Sequence, residues 1–299
     1  MNRPRMSSPR AVREALAALQ IRPRKRWGQH FLVDANAVER LLATADLGAD
    51  DTVLEIGPGL GVLTERLAEV AGRVVAVELD PTLAAWLTDR FADHAHVEIV
   101  EADALELDWA ELRTSAEPAM ALGNLPYHIT APLLDRLIRH RHGVERAVWM
   151  VQREVAEKLL ATPGTRETSS LGVWVQAFCE VTRAFRVSKS AFYPPPEVES
   201  VVLAIRPREA PAFTASEASF RRAIRAAYGA RRKTLRRALS IGLGVSTDQA
   251  GQILRRAEID GRRRGETLDL DEFDRLARAI EAELDADALT ARTDTPPIG

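Results

Sequence analysis

The 299-residue chain has little of several features, and each shortage excludes a class of protein. It contains one cysteine, Cys179, which excludes an intramolecular disulfide and cannot by itself anchor a zinc site. No apolar run approaches the ~20 residues that a membrane-spanning helix needs. The arginine-rich start of the chain lacks the apolar stretch of a signal peptide. We therefore expect a cytoplasmic protein without a membrane association.

Clustered metal ligands are also lacking. The six histidines are scattered, and the two close pairs, His94/His96 and His140/His142, have no set of acidic or cysteine partners around them. Metal sites in proteins need several such ligands held together. We expect these pairs to face solvent and expect no metal at the functional site.

Neither sign of charge is in large excess, since the formal net charge is only −2, but the charges are unevenly distributed. Residues 220–240 hold eight Lys or Arg and no acid, and residues 3–26 form a second basic stretch. Such stretches are either ordinary solvated helix faces or a surface that binds a polyanion. The separation of the basic segments from the acidic ones favours the second interpretation.

Short apolar runs alternate with helical segments through the first part of the chain. The runs cover residues 52–56, 73–78, 97–100, 119–124 and 147–151, and the predicted helices cover residues 34–47, 61–70, 81–91, 130–140 and 152–161. This alternation predicts a parallel sheet covered on both faces, a doubly wound α/β domain. Two further strands at 181–187 and 201–206, joined without a helix, predict an antiparallel pair at its end.

The last part of the chain is predicted to be helical, with helices at residues 216–228, 233–241, 247–257 and 270–283. A smaller all-α C-terminal domain is therefore expected. The predicted organisation is an N-terminal extension, poorly ordered or a frayed helix, then the α/β domain, the helical domain and a disordered tail; these cover residues 1–23, 24–207, 208–287 and 288–299.

A glycine-rich turn, Gly57-x-Gly59-x-Gly61, follows the first apolar run. Glycines let the backbone turn sharply and let a ligand approach closely. Val62 breaks the G-x-G-x-x-G spacing of dinucleotide-binding folds, which disfavours a nicotinamide-dependent oxidoreductase.

Two acids follow the next two apolar runs, Glu78 and Asp103. An acid at the carboxyl end of the second strand, about 20 residues after the loop, is placed to hold both hydroxyls of a ribose. Asp103 can accept a hydrogen bond from an adenine amino group. Glu78 alone could be a capping or solvated acid, but the glycine turn and the two acids together predict an adenosyl ligand.

The fourth apolar run ends in the most specific motif of the chain, Asn124-Leu125-Pro126-Tyr127. Methylating an exocyclic amine is difficult because its lone pair is delocalised into the ring. Asn124 and the carbonyl of Leu125 can accept from the two N–H groups, while Pro126 stiffens the turn and Tyr127 can stack on a base. Alone, the motif could be an ordinary Asn-x-Pro turn. At the end of the fourth strand and next to a predicted adenosyl site, it predicts methyl transfer in which catalysis comes mostly from aligning the amine with the methyl group.

These motifs, in this order, resemble the ribosomal RNA adenine dimethyltransferase family, and in particular its small-subunit members. The resemblance covers residues 24–270 and rests on six segments: residues 24–32, 55–59, 78–80, 124–127, 192–200 and 231–235. The last two segments distinguish the small-subunit enzymes from relatives that act on the large subunit. In this sequence His30 and His128 stand where the family usually has Asn, and Trp27 stands where it has Phe.

The resemblance implies a Rossmann-like methyltransferase sheet and a cytoplasmic, monomeric enzyme. It would transfer methyl groups from S-adenosylmethionine to N6 of two adjacent adenines in a hairpin loop near the 3′ end of 16S rRNA, in the small subunit or an assembly intermediate. The implied cofactor-binding residues are His30, Leu32, Gly57, Gly59, Glu78, Asp103 and Asn124. Phe192 would sit opposite Tyr127 so that the two rings sandwich the flipped adenine. The implied RNA-binding residues are Arg24, Lys25, Arg26, Arg221, Arg222, Arg231, Arg232 and Lys233.

Two other functions remain possible from the sequence alone. A related N6-adenine methyltransferase that acts on large-subunit RNA or on DNA would use the same glycine turn, Glu78 and Asn124. A non-catalytic RNA-binding or ribosome-assembly factor would use the basic helices and keep the cofactor site as a relic. Transfer of labelled methyl groups to RNA separates these alternatives.

Overall fold

The computed structural model describes residues 5–23, 29–109 and 119–288, with the side chains of His128 and of residues 284–288 left aside. The chain divides into two compact units. The first unit comprises residues 1–160 and 179–209, and the second comprises residues 161–178 and 210–299. Residues 161–178, which the sequence pattern places in the α/β domain, thus group with the C-terminal helices. The expected disordered tail lies outside the described residues from residue 289 onward.

The first unit is built around a mixed sheet. Its strands are β1 (Phe31–Leu32), β2 (Thr52–Ile56), β3 (Arg73–Glu78), β4 (Val97–Glu101), β5 (Ala119–Asn124), β6 (Val144–Gln152), β7 (Cys179–Val187), β8 (Phe192–Tyr193) and β9 (Ser200–Pro207). Within the described residues, seven of them form a sheet of order β4-β3-β2-β5-β6-β9-β7, while β1 and β8 form a separate antiparallel pair. Strands β2 to β6 run parallel, and β9 is antiparallel to both β6 and β7. The predicted parallel sheet with a terminal antiparallel pair is confirmed.

The α-helices described in the first unit are α1 (Pro9–Ala18), α2 (Ala35–Ala45), α3 (Val62–Val70), α4 (Pro81–Arg90), α5 (Thr130–Arg139) and α6 (Arg153–Leu159). Of these, α1, α2 and α4 begin at a side-chain cap. The Asp34 carboxylate accepts from two backbone N–H groups at the start of α2, and Asp80 does the same for α4. These caps set where each helix begins relative to the preceding strand, and therefore where the loops at the sheet edge lie.

The sheet core is apolar because the parallel strands are buried on both faces. Trp149, Met150 and Val151 follow one another in β6, and all three are fully buried. Consecutive side chains in a strand point to opposite faces, so such a run requires helices on both sides. The doubly wound arrangement follows from this burial.

Two helices differ from the prediction. The sequence predicts that residues 1–20 are poorly ordered or a frayed helix, but α1 is capped by Ser8 and buries Val12 and Leu16 against the first unit. A further helix, α7 (Ser170–Phe178), is not predicted at all. Its segment is too uniformly apolar to show a helical period, and its packing is decided by distant residues.

The second unit consists of α7 together with α8 (Glu217–Tyr228), α9 (Leu235–Leu243), α10 (Thr247–Arg256) and α11 (Leu270–Ala288). An aromatic cluster joins them: the Phe213 and Phe220 rings stack with centroids 4.1 Å apart, and Phe178 packs edge-on against Phe213 at 5.4 Å. This cluster explains why α7 groups with the C-terminal helices. The predicted helical C-terminal region is confirmed. In neither unit does a helix of the described residues have the length and apolarity to cross a membrane.

Candidate active site

The loops at the carboxyl ends of the parallel strands surround one cavity of about 210 Å³ in the first unit. Ligands bind at this edge in doubly wound sheets, next to the point where strand order reverses. Here the reversal lies between β2 and β5. The cavity wall contains ten of the residues predicted from the sequence to bind cofactor or target base: His30, Leu32, Gly57, Gly59, Glu78, Asp103, Asn124, Leu125, Pro126 and Tyr127.

The glycine turn has a backbone that other residues rarely adopt. Gly57 has φ +68° and Gly59 has φ +62°, both in the left-handed region. A Cβ at Gly59 would lie 3.2 Å from the Phe31 ring, so a side chain there would be both strained and crowded. The turn therefore presents bare backbone to the cavity.

Glu78 is held at the end of β3 by two backbone groups. Its Oε2 accepts from the Gly59 N–H at 3.0 Å, and its Oε1 accepts from the Asp80 N–H at 2.9 Å. Burial raises the pKa of Glu78, while these backbone hydrogen bonds oppose the rise and the charge of Asp80 adds to it. The carboxyl is thus fixed in the cavity wall with lone pairs left for a ligand hydroxyl.

Sequence reasoning assigned no role to Glu55, although it lies in the same wall. Its side chain is 2% exposed, and burial raises its pKa to about 8. The Thr64 hydroxyl donates to Oε2 at 2.7 Å, which lowers the pKa, whereas the charge of Glu78 raises it. The available signal was an acid within an otherwise apolar strand.

Asn124 ends β5 with its amide oriented by the backbone. Its Nδ2 donates to the carbonyl of His30 at 2.9 Å, which leaves the amide oxygen as an acceptor at the cavity. The next residue, Leu125, is anchored to β6, because its N–H donates to the Met150 carbonyl at 3.1 Å. The turn that carries the motif is therefore tied to two neighbouring segments.

Tyr127 is half-buried beside His30. Its hydroxyl and the Ser200 hydroxyl are hydrogen-bonded at 3.0 Å, and its ring centroid lies 5.5 Å from that of His30. Burial raises the pKa of Tyr127, and the bond to Ser200 opposes the rise. His30 Nδ1 in turn lies 2.8 Å from the Pro194 carbonyl. Ser200 and Pro194 lie in segment 192–200 of the resemblance, but the sequence did not reveal these contacts, because both residues are remote in the chain from Tyr127 and His30.

Phe192 lies elsewhere. Its side chain is 3% exposed and packs in the core of the first unit with Leu32 and Val187. In the β1–β8 pair its backbone is the partner of Leu32. The ring therefore lies in the core rather than in the cavity wall, so it faces a base only if it turns outward. Its stacking role remains a prediction.

The histidine pairs differ in part from the expectation that they face solvent. His96 Nε2 lies 2.9 Å from the Ala68 carbonyl, and His140 stacks on Trp109 with Nδ1 3.4 Å from Asp108. Both rings are partly buried because these partners cover them. Across the described ranges no group of three or more His, Cys, Asp or Glu could hold a metal ion. The absence of a metal from the chemistry remains a prediction.

The basic residues of the second unit fall into two groups. Arg221 pairs with Glu217 and lies 4.0 Å from the centre of the Trp174 ring, and Arg231 donates to the Arg166 carbonyl at 2.6 Å. These two are tied within the unit. By contrast, Arg222, Arg232 and Lys233 are exposed and have no ion-pair partner in the described part of the chain. Arg24, Lys25 and Arg26 lie outside the described residues.

Comparisons with known proteins agree with the fold and the cavity. A family model described as "Ribosomal RNA adenine dimethylase" matches residues 21–276. The chain is 44% identical over 283 residues to the ribosomal RNA small subunit methyltransferase A of Pelotomaculum thermopropionicum, covering 91% of this chain and 96% of that one. It is also 44% identical over 266 residues to the protein of that name from Geobacter sulfurreducens, covering 88% and 96%.

Two solved structures are similar over most of the chain. A dimethyladenosine transferase from Plasmodium falciparum has a TM-score of 0.73 and 26% identity, covering 85% of this chain and 98% of that one. The 23S rRNA methyltransferase ErmE has a TM-score of 0.64 and 26% identity, covering 84% and 99%. Since the family model spans most of the sequence and the relatives match nearly end to end, the chain belongs to the ribosomal RNA adenine dimethylase family.

Proposed function

We propose that this chain transfers methyl groups from S-adenosylmethionine to N6 of two adjacent adenines in the 3′-terminal hairpin loop of 16S rRNA during small-subunit biogenesis. The observation that carries the proposal is the orientation of Asn124, whose amide nitrogen is engaged by the His30 carbonyl so that its oxygen is left to accept from the target amine. The relatives named as small-subunit methyltransferases support the choice of RNA.

The cavity fits the proposed cofactor. Bare backbone at Gly57 and Gly59 suits the close approach of a ligand, and Glu78 offers carboxyl oxygens to ribose hydroxyls. Asp103, which lines the cavity, would accept from the adenine amino group, and its Oδ1 already accepts from the Leu105 N–H at 2.8 Å. His30 and Leu32 complete the proposed contacts. When bound, S-adenosylmethionine supplies an electrophilic methyl group.

The residues of the Asn124–Tyr127 turn would act on the adenine. Asn124 Oδ1 and the Leu125 carbonyl accept from the two amine N–H groups, which favours a pyramidal nitrogen with its lone pair available. Acceptors that are fixed before the reaction stabilise developing positive charge without reorganising. The Tyr127 ring, held by Ser200, would stack on the base, and Phe192 would provide the second ring of the sandwich. The protonated product loses its proton readily to water, so no general base is required.

RNA would be held by exposed cations. Arg222, Arg232 and Lys233 are free to neutralise phosphates, whereas Arg221 and Arg231 would first have to leave partners within the second unit. We include Arg24, Lys25 and Arg26 in the same proposal from their sequence alone. The partner would be 16S rRNA in the small subunit or its assembly intermediate, bound by a monomer in the cytoplasm.

The test is methyl transfer to defined RNA substrates. Purified protein and labelled S-adenosylmethionine are incubated with small subunits that lack the modification, with large subunits and with DNA, and the labelled adenines are mapped. Label at two adjacent adenines near the 3′ end of 16S rRNA is expected, and Asn124→Ala is the matched inactive control. Label confined to 23S rRNA or DNA would support the related methyltransferases. Binding of small subunits without any transfer would support a non-catalytic assembly factor.

A further inference from the structure

The N-terminal segment, residues 5–19, precedes the part of the chain that the family model matches, yet two of its side chains reach the cavity. Met6 is 1% exposed and Val12 is fully buried, and both line the same cavity as Gly59 and Glu78. Neither residue belongs to any motif recognised in the sequence. An apolar side chain at a cavity wall gains contact when a ligand fills the space.

The side of the cavity that these residues form is well defined. Met6 and Val12 belong to a cluster with Phe31, with Leu60 beside the glycine turn and with Leu83 in the first turn of α4. The Leu83 N–H donates to Asp80 Oδ1 at 3.4 Å, and the Asp80 N–H donates to Glu78 Oε1 at 2.9 Å, so this wall stands next to the carboxyl proposed to hold the ribose. Met6 therefore lies on the side of the cavity that carries Glu78.

Met6 is held in this position by a buried ion pair. Its backbone N–H donates to Glu65 Oε1 at 3.4 Å, and the same oxygen accepts from Arg90 Nε at 3.0 Å. The side chains of Glu65 and Arg90 are both largely shielded from solvent, and the Arg90 guanidinium lies 5.7 Å from the Trp86 ring centroid. Removing either partner of a pair so buried would leave an uncompensated charge, so the pair is costly to break.

We propose that Met6 forms part of the cofactor-binding surface and contacts the adenosyl group of S-adenosylmethionine; this inference rests on the proposed function. A flexible, polarizable Met side chain suits contact with the flat faces of an adenosyl group. Binding also becomes coupled to the packing of α1, since a ligand that contacts the segment stabilises it by the same free energy that the segment adds to binding.

The test is titration calorimetry with S-adenosylhomocysteine, without RNA, on wild type, Met6→Ala and Leu16→Ala. Leu16 is buried in the same cluster but does not line the cavity, so it reports the effect of loosening α1 alone. Circular dichroism establishes that each variant is folded at the temperature used. Met6→Ala should weaken binding about threefold through lost dispersion contacts, and Leu16→Ala less than about 1.5-fold. Met6→Leu should restore most of the affinity.

A second measurement follows the segment itself. Amide hydrogen exchange in α1 should slow when S-adenosylhomocysteine saturates the wild type, and this protection should shrink in Met6→Ala. Three outcomes would overturn this inference but not the proposed cofactor. They are equal affinity of Met6→Ala and wild type, equal losses of affinity in Met6→Ala and Leu16→Ala, and unchanged hydrogen exchange in α1. A wild type that binds no S-adenosylhomocysteine would overturn the proposed cofactor as well.

Discussion

Replacing Asn124 by Ala tests the proposed chemistry most directly. The change removes the amide oxygen that is directed to the cavity and the hydrogen bond of 2.9 Å from Nδ2 to the His30 carbonyl. The turn itself should persist, because the Leu125 N–H stays bonded to the Met150 carbonyl in β6. The perturbation is thus confined to one side chain in an otherwise anchored turn.

The magnitude follows from what the oxygen does. Removing an acceptor that is fixed where charge develops lowers the rate by a factor of about 10²–10³, which raises the activation free energy by roughly 3–4 kcal/mol. Because the interaction strengthens in the transition state, the loss should fall on turnover, with little change in RNA affinity. Asn124→Asp serves as a matched variant: it keeps an acceptor of the same size but sets an oxygen against the His30 carbonyl, so it should be impaired through orientation.

Single-turnover methyl transfer to small subunits, with enzyme in excess, isolates the chemical step. S-adenosylhomocysteine affinity and RNA affinity are measured on the same preparations to separate binding from chemistry. We expect Asn124→Ala to be slowed at least a hundredfold at saturating RNA. Wild-type single-turnover rates in Asn124→Ala would refute the reasoning, since the carbonyl of Leu125 would then suffice.

Three further predictions use the other contacts. Tyr127→Ala should raise the RNA concentration needed for half-maximal rate by a factor equivalent to about 1–3 kcal/mol, because it removes the stacking ring. Tyr127→Phe and Ser200→Ala should have similar small effects in the same assay, because each removes the hydrogen bond that the two hydroxyls share. Burial raises the pKa of Glu55 from its ordinary value of 4.5 to about 8, so the folded state keeps a proton that the unfolded state releases. The free energy of unfolding should therefore fall as pH rises between these values, by up to about 1.4 kcal/mol per pH unit, and urea titrations of Glu55→Gln should show a flatter profile. Lys233→Gln should make the slope of log RNA affinity against log salt less steep by about 1. Arg262→Gln should change this slope less, because Arg262 is already paired with Asp260. Equal slopes for Lys233→Gln and the wild type would contradict the assignment of Lys233 to RNA binding.

The sequence by itself determined the α/β fold and most of the cavity wall. Buried strands and helix caps are local patterns, and loops at the carboxyl ends of parallel strands meet at one edge whatever the details of packing. This is why the sequence alone assigns Gly59, Glu78, Asp103 and Asn124 to one site, although they are spread over more than sixty positions. The family assignment rests on the same short motifs.

Only the tertiary structure decided how distant segments complete the site. The Tyr127 hydroxyl is hydrogen-bonded to the Ser200 hydroxyl, and Met6, just before α1, lies at the cavity wall; neither contact has a local signal. The Phe192 ring, predicted to face the base, packs in the core because β8 pairs with β1. Helix α7 joins the second unit through aromatic contacts that its sequence does not announce. Each of these outcomes depends on side-chain packing between residues far apart in the chain, and packing of that kind has no period along the sequence.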